Sequence, residues 1–288
     1  MKKVCSLILV FVLSLLLCAC GKSEAAENAE RLISSIGEVS LESKNALDAA
    51  QCAFDALSEE DKKQVENYYI LVEGQAVYKE LEEQNALEEQ SDLGKKTYES
   101  IKTAWEITER IGADIYNIWY GSIWTRDDLD AKGIQFFVDE TELSEKEIIE
   151  GLASYSFLAD YGDEGVTWEE LPENNRQLYR DHVVGLFAQY SPEWRTALLS
   201  TVFAYKLNGM AYAAQTELES AKSDLKALTE QYTDFEYTSP LRDFYTMTSS
   251  FFDFCMSPTG SFEQYKVLLS DYRKEAREHI SNFAFVFE

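Results

Sequence analysis

From Val4 to Leu17 the chain carries no charge and only two serines interrupt the apolar run; beyond it, apolar positions recur with a helical period. Helical spacing begins near Arg31 and first breaks at Ile36-Gly37. A second helix is predicted from Ser43 to Leu57, with Ala46, Ala50, Ala53, Phe54 and Leu57 on one face. Ser58 then caps a third, with Glu59, Glu60 and Asp61 in its first turn. Glu80 to Gln90 is helical and charge-rich, and near Asp92-Leu93-Gly94 the pattern turns aromatic, which places a domain boundary there.

The aromatic part opens with Tyr98, Ile101, Trp105, Ile111, Ile115, Ile118 and Trp119, one long helix ending at Trp124. Thr125 to Leu143, rich in aspartate, reads as a loop. Ser144 and Glu147 have capping-box spacing, as do Ser261 and Gln264. A loop is expected near Gly162 to Pro172, followed by a helix through Tyr179 and Phe187. Ser191-Pro192 predicts the start of a very long helix reaching towards Tyr232, with Gly209 as a kink or close-packing point. Ser239-Pro240 repeats that signal, and Phe262, Tyr265, Leu269, Tyr272, Ala276 and Phe283 mark the final helix. The fold class expected is all-α: a small helical module followed by an antiparallel up-down bundle with long helices.

The opening run is preceded by Lys2 and Lys3 and followed at once by polar Gly21-Lys22-Ser23-Glu24. It is shorter than the roughly 20 apolar residues of a spanning helix, and has the layout of a cleavable export signal. Leu17-Cys18-Ala19-Cys20 resembles a bacterial lipobox, with small Ala19 before Cys20; bulky Leu17 disfavours Cys18 as the modified residue. The resemblance implies a signal peptide over 1–19, a diacylated Cys20 as the mature N-terminus, and a short linker over 20–28. Two acyl chains anchor stably, because each buried CH₂ contributes about 0.8 kcal/mol. The expected location is the outer face of the cell membrane, with the membrane itself as first partner.

Charge narrows the remaining partners. The chain has 26 Lys+Arg against 52 Asp+Glu, a net −26, and without Lys2 and Lys3 the mature body carries −28. Nucleic acid is a poor partner for such a surface, since a phosphate backbone requires a cationic face. Hydrophobic content of 45% and aromatic content of 13% demand a real core rather than a disordered tether. Of the cysteines, only Cys52 and Cys255 lie beyond the lipobox, each on an apolar helical stretch, where buried free thiols are expected in preference to a bridge.

Ile36-Gly37, Val39, Leu41, Ala46, Ala50, Phe54, Leu57-Ser58-Glu59-Glu60, Val65, Asn67 and Leu71 together resemble a small helical module recurring in Gram-positive cell-surface proteins. The likeness covers about residues 30 to 85, gives a module over 29–91, and implies a spacer or interaction unit without assigning site residues. Trp105 to Trp124 and the closing pair of helices, within a bundle domain over 92–288, resemble surface lipoproteins of Firmicutes.

Catalytic signatures are missing from the sequence. It has no Gly-x-Ser-x-Gly elbow, no P-loop, no His-Glu-x-x-His and no Glu-x-x-His, and His182 and His279 each merely neighbour an acid in sequence. No cofactor is called for. The best metal candidate is Asp128, Asp130 and Asp139, which partly follow a calcium loop around Gly133, although Lys132 stands at position five and Asp139 replaces glutamate at twelve. Trp124, Trp168 and Trp194 fall at element ends or in loops and are the candidates for a ligand groove. The function expected is a non-enzymatic surface lipoprotein of interaction or envelope-structural type with a protein partner. The alternative is an extracytoplasmic receptor for a small molecule, sugar or peptide.

Overall fold

A computed structural model describes residues 22–162 and 165–287. The lipobox and Cys20 lie outside the described residues. Among them the chain forms twelve α-helices, one short 3₁₀ turn and no strand, so the protein is all-α. It divides into two compact units, parted between Glu89 and Gln90.

The first unit comprises α1 (Glu24–Ser34), a 3₁₀ turn (Leu41–Ser43), α2 (Lys44–Asp55), α3 (Glu59–Lys62) and the opening turns of α4 (Tyr68–Trp124). Helix α1 starts inside what the sequence predicts as a linker, because the Ser23 hydroxyl accepts from the Ala26 amide and caps it. Ala26, Ala29, Ile33, Leu47, Ala50 and Leu71 form its core. Asn67 ties the turn before α4 to α1, its side-chain amide donating to Glu30 O and Ser34 Oγ at 2.9 Å each. Ser58 caps α3 as its sequence predicts. Cys52, expected to be buried, is exposed: it falls off the Leu47–Ala50 stripe that α2 turns inward.

Helix α4 runs through Asp92-Leu93-Gly94 without a turn. From residue 90 it belongs to the second unit, where α5 (Arg126–Lys132), α6 (Ile134–Glu140), α7 (Glu145–Tyr161), α8 (Glu173–Phe187), α9 (Trp194–Leu207), α10 (Met210–Gln231), α11 (Thr238–Met256) and α12 (Phe262–Phe287) build an antiparallel bundle. Helices α7 and α9 pack most extensively, and consecutive pairs α7/α8, α9/α10, α10/α11 and α11/α12 lie against one another. The core contains Ile101, Ile111, Ile115, Phe137, Phe251 and Tyr265, each almost wholly inaccessible. Burying a side chain such as Phe251 contributes roughly 1.5–3 kcal/mol.

Four local expectations are corrected, the first being Ser239, which lies inside α11 after Tyr237 and does not cap it. Thr125 to Leu143 is not a loop but holds α5 and α6, which drive Leu129, Phe136 and Phe137 into the core and are separated by Gly133 at φ +59°. Its aspartates suit a first helical turn, where Asp127 and Asp128 meet the positive end of the helix dipole. Ser191-Pro192 does not begin a helix: the Arg126 guanidinium donates to Pro192 O at 2.8 Å and Ser191 O at 3.0 Å, holding both outside α9. The single long helix expected after it is two, broken by Gly209 at φ +89°.

Candidate functional site

The carboxylates of the metal candidate are engaged by neighbouring side chains or stand apart. Asp130 pairs with Arg126 at 3.0 Å, and Asp139 pairs with Lys132 at 2.8 Å and accepts from Gln135 at 2.9 Å. Both carboxyls are held below their ordinary range, Asp130 chiefly by the Ser191 hydroxyl and Asp139 by Lys132. Asp128 lies exposed in the first turn of α5. Among the described residues, no three metal-ligating side chains converge on one point, so Asp128, Asp130 and Asp139 are separate surface acids.

The three tryptophans meet different fates. Trp168 is buried, 4% exposed, against Phe157 and Tyr179, with the Arg180 guanidinium 6.0 Å from its ring centre. Trp194 is half-buried and stacks on Trp119 at 5.5 Å and 3°. Trp124 stands 51% exposed at the end of α4. Phe262 touches both Trp119, at 6.0 Å, and Trp124, at 4.6 Å, so Trp124 and Trp194 join one aromatic network while Trp168 stays in another.

Two clefts flank α7 and α8, one of about 1070 Å³ beside Ser144, Glu150, Gln177 and Arg180 and one of about 600 Å³ bordered by Trp168, Arg176 and Arg180. Their arginines are paired. Arg180 bonds Glu150 at 2.6 Å and Glu173 at 2.5 Å, and Glu173 also takes Arg176 at 2.9 Å. Of these pairs Arg180–Glu150 joins α8 to α7, and the two made by Glu173 lie within α8.

Between α4 and α12 the arrangement differs. A cleft of about 570 Å³ is bordered by Trp105, Glu109, Arg110, Asp114, Arg273 and Arg277, and a second of about 410 Å³ by Tyr116, Lys266, Ser270, Arg273, Lys274 and Arg277. Arg273 and Arg277 border both, and the two clefts together are the α4/α12 groove. Helical spacing creates it: positions 266, 270, 273 and 277 of α12 recur at intervals of four and three, opposite Trp105, Glu109 and Tyr116 of α4. Arg273 reaches across to Glu109, at 2.7 Å from Nε and 2.6 Å from Nη2. Among the described residues Lys266, Lys274 and Arg277 form no ion pair, and all three are exposed. The second cleft has no carboxylate in its lining.

Tyr116 continues this groove into an aromatic ladder. It stacks on Tyr120 at 6.3 Å and 19°, and Tyr120 on Trp124 at 5.5 Å and 17°, each one helical turn further along α4. Phe262, 6% exposed, backs all three rings at 4.6–5.9 Å. Tyr120 remains 43% exposed, so the ladder presents ring surface to solvent.

At the other end lies Asp114, 6% exposed. One of its oxygens accepts from the Tyr205 hydroxyl and from the Glu142 amide, the latter at 2.8 Å. Burial pushes its carboxyl above the ordinary range, against the pull of Tyr205, the Glu142 amide and Arg110. The Tyr205 hydroxyl is correspondingly pushed far up, first by burial and then by Asp114.

Neither the groove nor Asp114 is among the candidates the sequence singles out. Both left a trace: Asp114 interrupts the Ile111–Ile115–Ile118 stripe with an acid, and the basic positions of α12 align on one face of an otherwise acidic chain. His182 is exposed, and His279, half-buried, stacks on Phe244 at 5.1 Å; neither touches the groove. Comparisons with protein-family models, curated proteins and solved structures give no match to this chain.

Proposed function

We propose that this chain is a lipid-anchored, extracytoplasmic binding protein of non-enzymatic type, tethered through Cys20 and engaging an envelope component through the groove between α4 and α12. Leu17-Cys18-Ala19-Cys20 supports the anchor, and among the described residues no helix is long and apolar enough to cross a membrane. The groove carries the binding half of the reading. On a chain of net charge −26, three exposed cations without ion pairs beside an exposed aromatic ladder form a surface that solubility does not require. The Asp114–Tyr205 pair acts as a clamp across the bundle, fixing α4 against α9 and the turn before α7.

Two measurements test it on intact cells. An alkyne fatty acid should label the wild-type chain and leave Cys20→Ala unlabelled; equal labelling of both removes the anchor. A photoreactive residue at Tyr120 should crosslink an envelope component that the same residue at Tyr212, 72% exposed on α10, does not. Identical products at the two positions would remove the groove from the function.

A further inference from the structure

Resting on that binding-protein reading, we propose that the α4/α12 groove takes a short anionic glycan, with sugar rings laid on Tyr120 and Trp124 and carboxylate or sulfate groups on Lys266, Lys274 and Arg277. Three observations meet in this assignment. The ladder rings are nearly parallel, at 17° and 19°, their centres lie 5.5 and 6.3 Å apart, and Tyr120 and Trp124 keep 43% and 51% of their surface exposed to solvent. A pyranose offers an apolar C–H face that lies flat on such a ring, and its length is comparable with that spacing. Phe262 fixes the rings from beneath, so little side-chain freedom is lost on binding.

The cations begin where the ladder ends. Tyr116 belongs to both, stacking on Tyr120 and bordering the cleft that holds Lys266, Lys274 and Arg277. These three point charges have no internal partner, whereas Arg273 is occupied by Glu109. At 1.5 Å per residue the ladder spans about 12 Å and the basic stretch from Lys266 to Arg277 about 16 Å, room for a few sugars. Length is limited from outside as well: a long polyanion leaving the groove would meet the strongly acidic surface of a chain of net charge −26, so the fit is to an oligomer. A peptide of acidic residues alone would satisfy the cations but has no rigid apolar ring to set on the ladder.

Calorimetric titration of the full chain in detergent tests this, with tetragalacturonic acid and a sulfated tetrasaccharide as the two anionic probes. Maltotetraose, inorganic phosphate and hexaglutamate serve as comparators. One or both anionic tetrasaccharides should bind, about tenfold more weakly in Trp124→Ala and in the double variant Lys274→Glu/Arg277→Glu, and unchanged in Tyr212→Ala. Maltotetraose should bind at least about tenfold more weakly than the anionic probe. All the substituted side chains are exposed, and Lys274→Gln/Arg277→Gln replaces the charge reversal if that protein does not fold. Binding of neither anionic probe overturns the proposal; so does affinity indifferent to Trp124→Ala, or phosphate or hexaglutamate binding as tightly. If both glycans fail while Tyr120 still gives its specific crosslink, the glycan is refuted and the binding-protein reading stands; if both fail, both fall.

Discussion

Asp114 shows at the scale of one residue how a polar group earns a place in an apolar stripe. It shares the inward face of α4 with Ile111 and Ile118, and its burial is offset by the Tyr205 hydroxyl and the Glu142 amide. Tyr205→Phe removes one of those donors and should destabilise the fold by about 1–3 kcal/mol in urea denaturation. An unchanged midpoint would mean that water replaces the hydroxyl without penalty. Burial dominates the carboxyl's titration and raises its pKa above the unfolded value, so the folded chain binds the proton more tightly. That stabilisation is present below the ordinary aspartate value and is lost as pH rises through the raised one. Asp114→Asn lacks this dependence. The stability of wild type relative to Asp114→Asn should therefore fall from acid to neutral pH, and a difference that grows over the same range would contradict the ordering of causes.

Helix boundaries and contacts in this protein are set by small residues at a few backbone positions. Gly209 breaks α9 from α10 at φ +89°, a conformation that costs L-residues roughly 1–2 kcal/mol, and Gly209→Ala should lose about that much. Gly151 lets α7 approach α9: a Cβ there would stand 2.4 Å from the Ser200 carbonyl oxygen and 2.8 Å from Ala204 Cβ. Gly151→Ala should be destabilising by about 1–3 kcal/mol despite the roughly 1 kcal/mol that alanine brings to a helix, because backbone atoms cannot yield as a side-chain tip can. Stability unchanged or raised would place the two helices further apart. Local signals of this kind were legible in advance. Ser58, Ser144 and Ser261 cap α3, α7 and α12 where spacing alone locates them, since a cap needs only its next three residues. The Thr125–Leu143 helices and the late start of α9 were not, for both depend on distant groups: the core that receives Phe136 and Phe137, and Arg126 bonding across to Ser191 and Pro192. The groove was illegible for the same reason, because it exists only once α12 lies beside α4, while Trp168 and Trp194 looked available only until the core enclosed them.

Over the whole molecule, net charge sets a term that no single contact reveals. The visible ion pairs are mostly exposed, such as Lys79–Glu83 and Lys226–Glu230, and pairs of that kind contribute about 0–1 kcal/mol each. Against them stands the mutual repulsion implied by a charge of −26, which acts over the Debye length, about 30 Å at 0.01 M salt and 10 Å at 0.1 M. Repulsion reaches further than the pairs do and is screened first, so the melting temperature should rise with sodium chloride from low to moderate ionic strength. A flat or falling curve would show that short-range attraction outweighs it. The groove sharpens the test, because Lys274 and Arg277 are exposed cations that partly neutralise the surrounding acidic surface. Reversing both to glutamate makes the net charge more negative by about four and removes that local relief. The double variant should melt below wild type at low salt and converge on it as salt increases. A gap independent of salt would instead assign the loss to helix packing, and would mean that these cations do not act on the body's field.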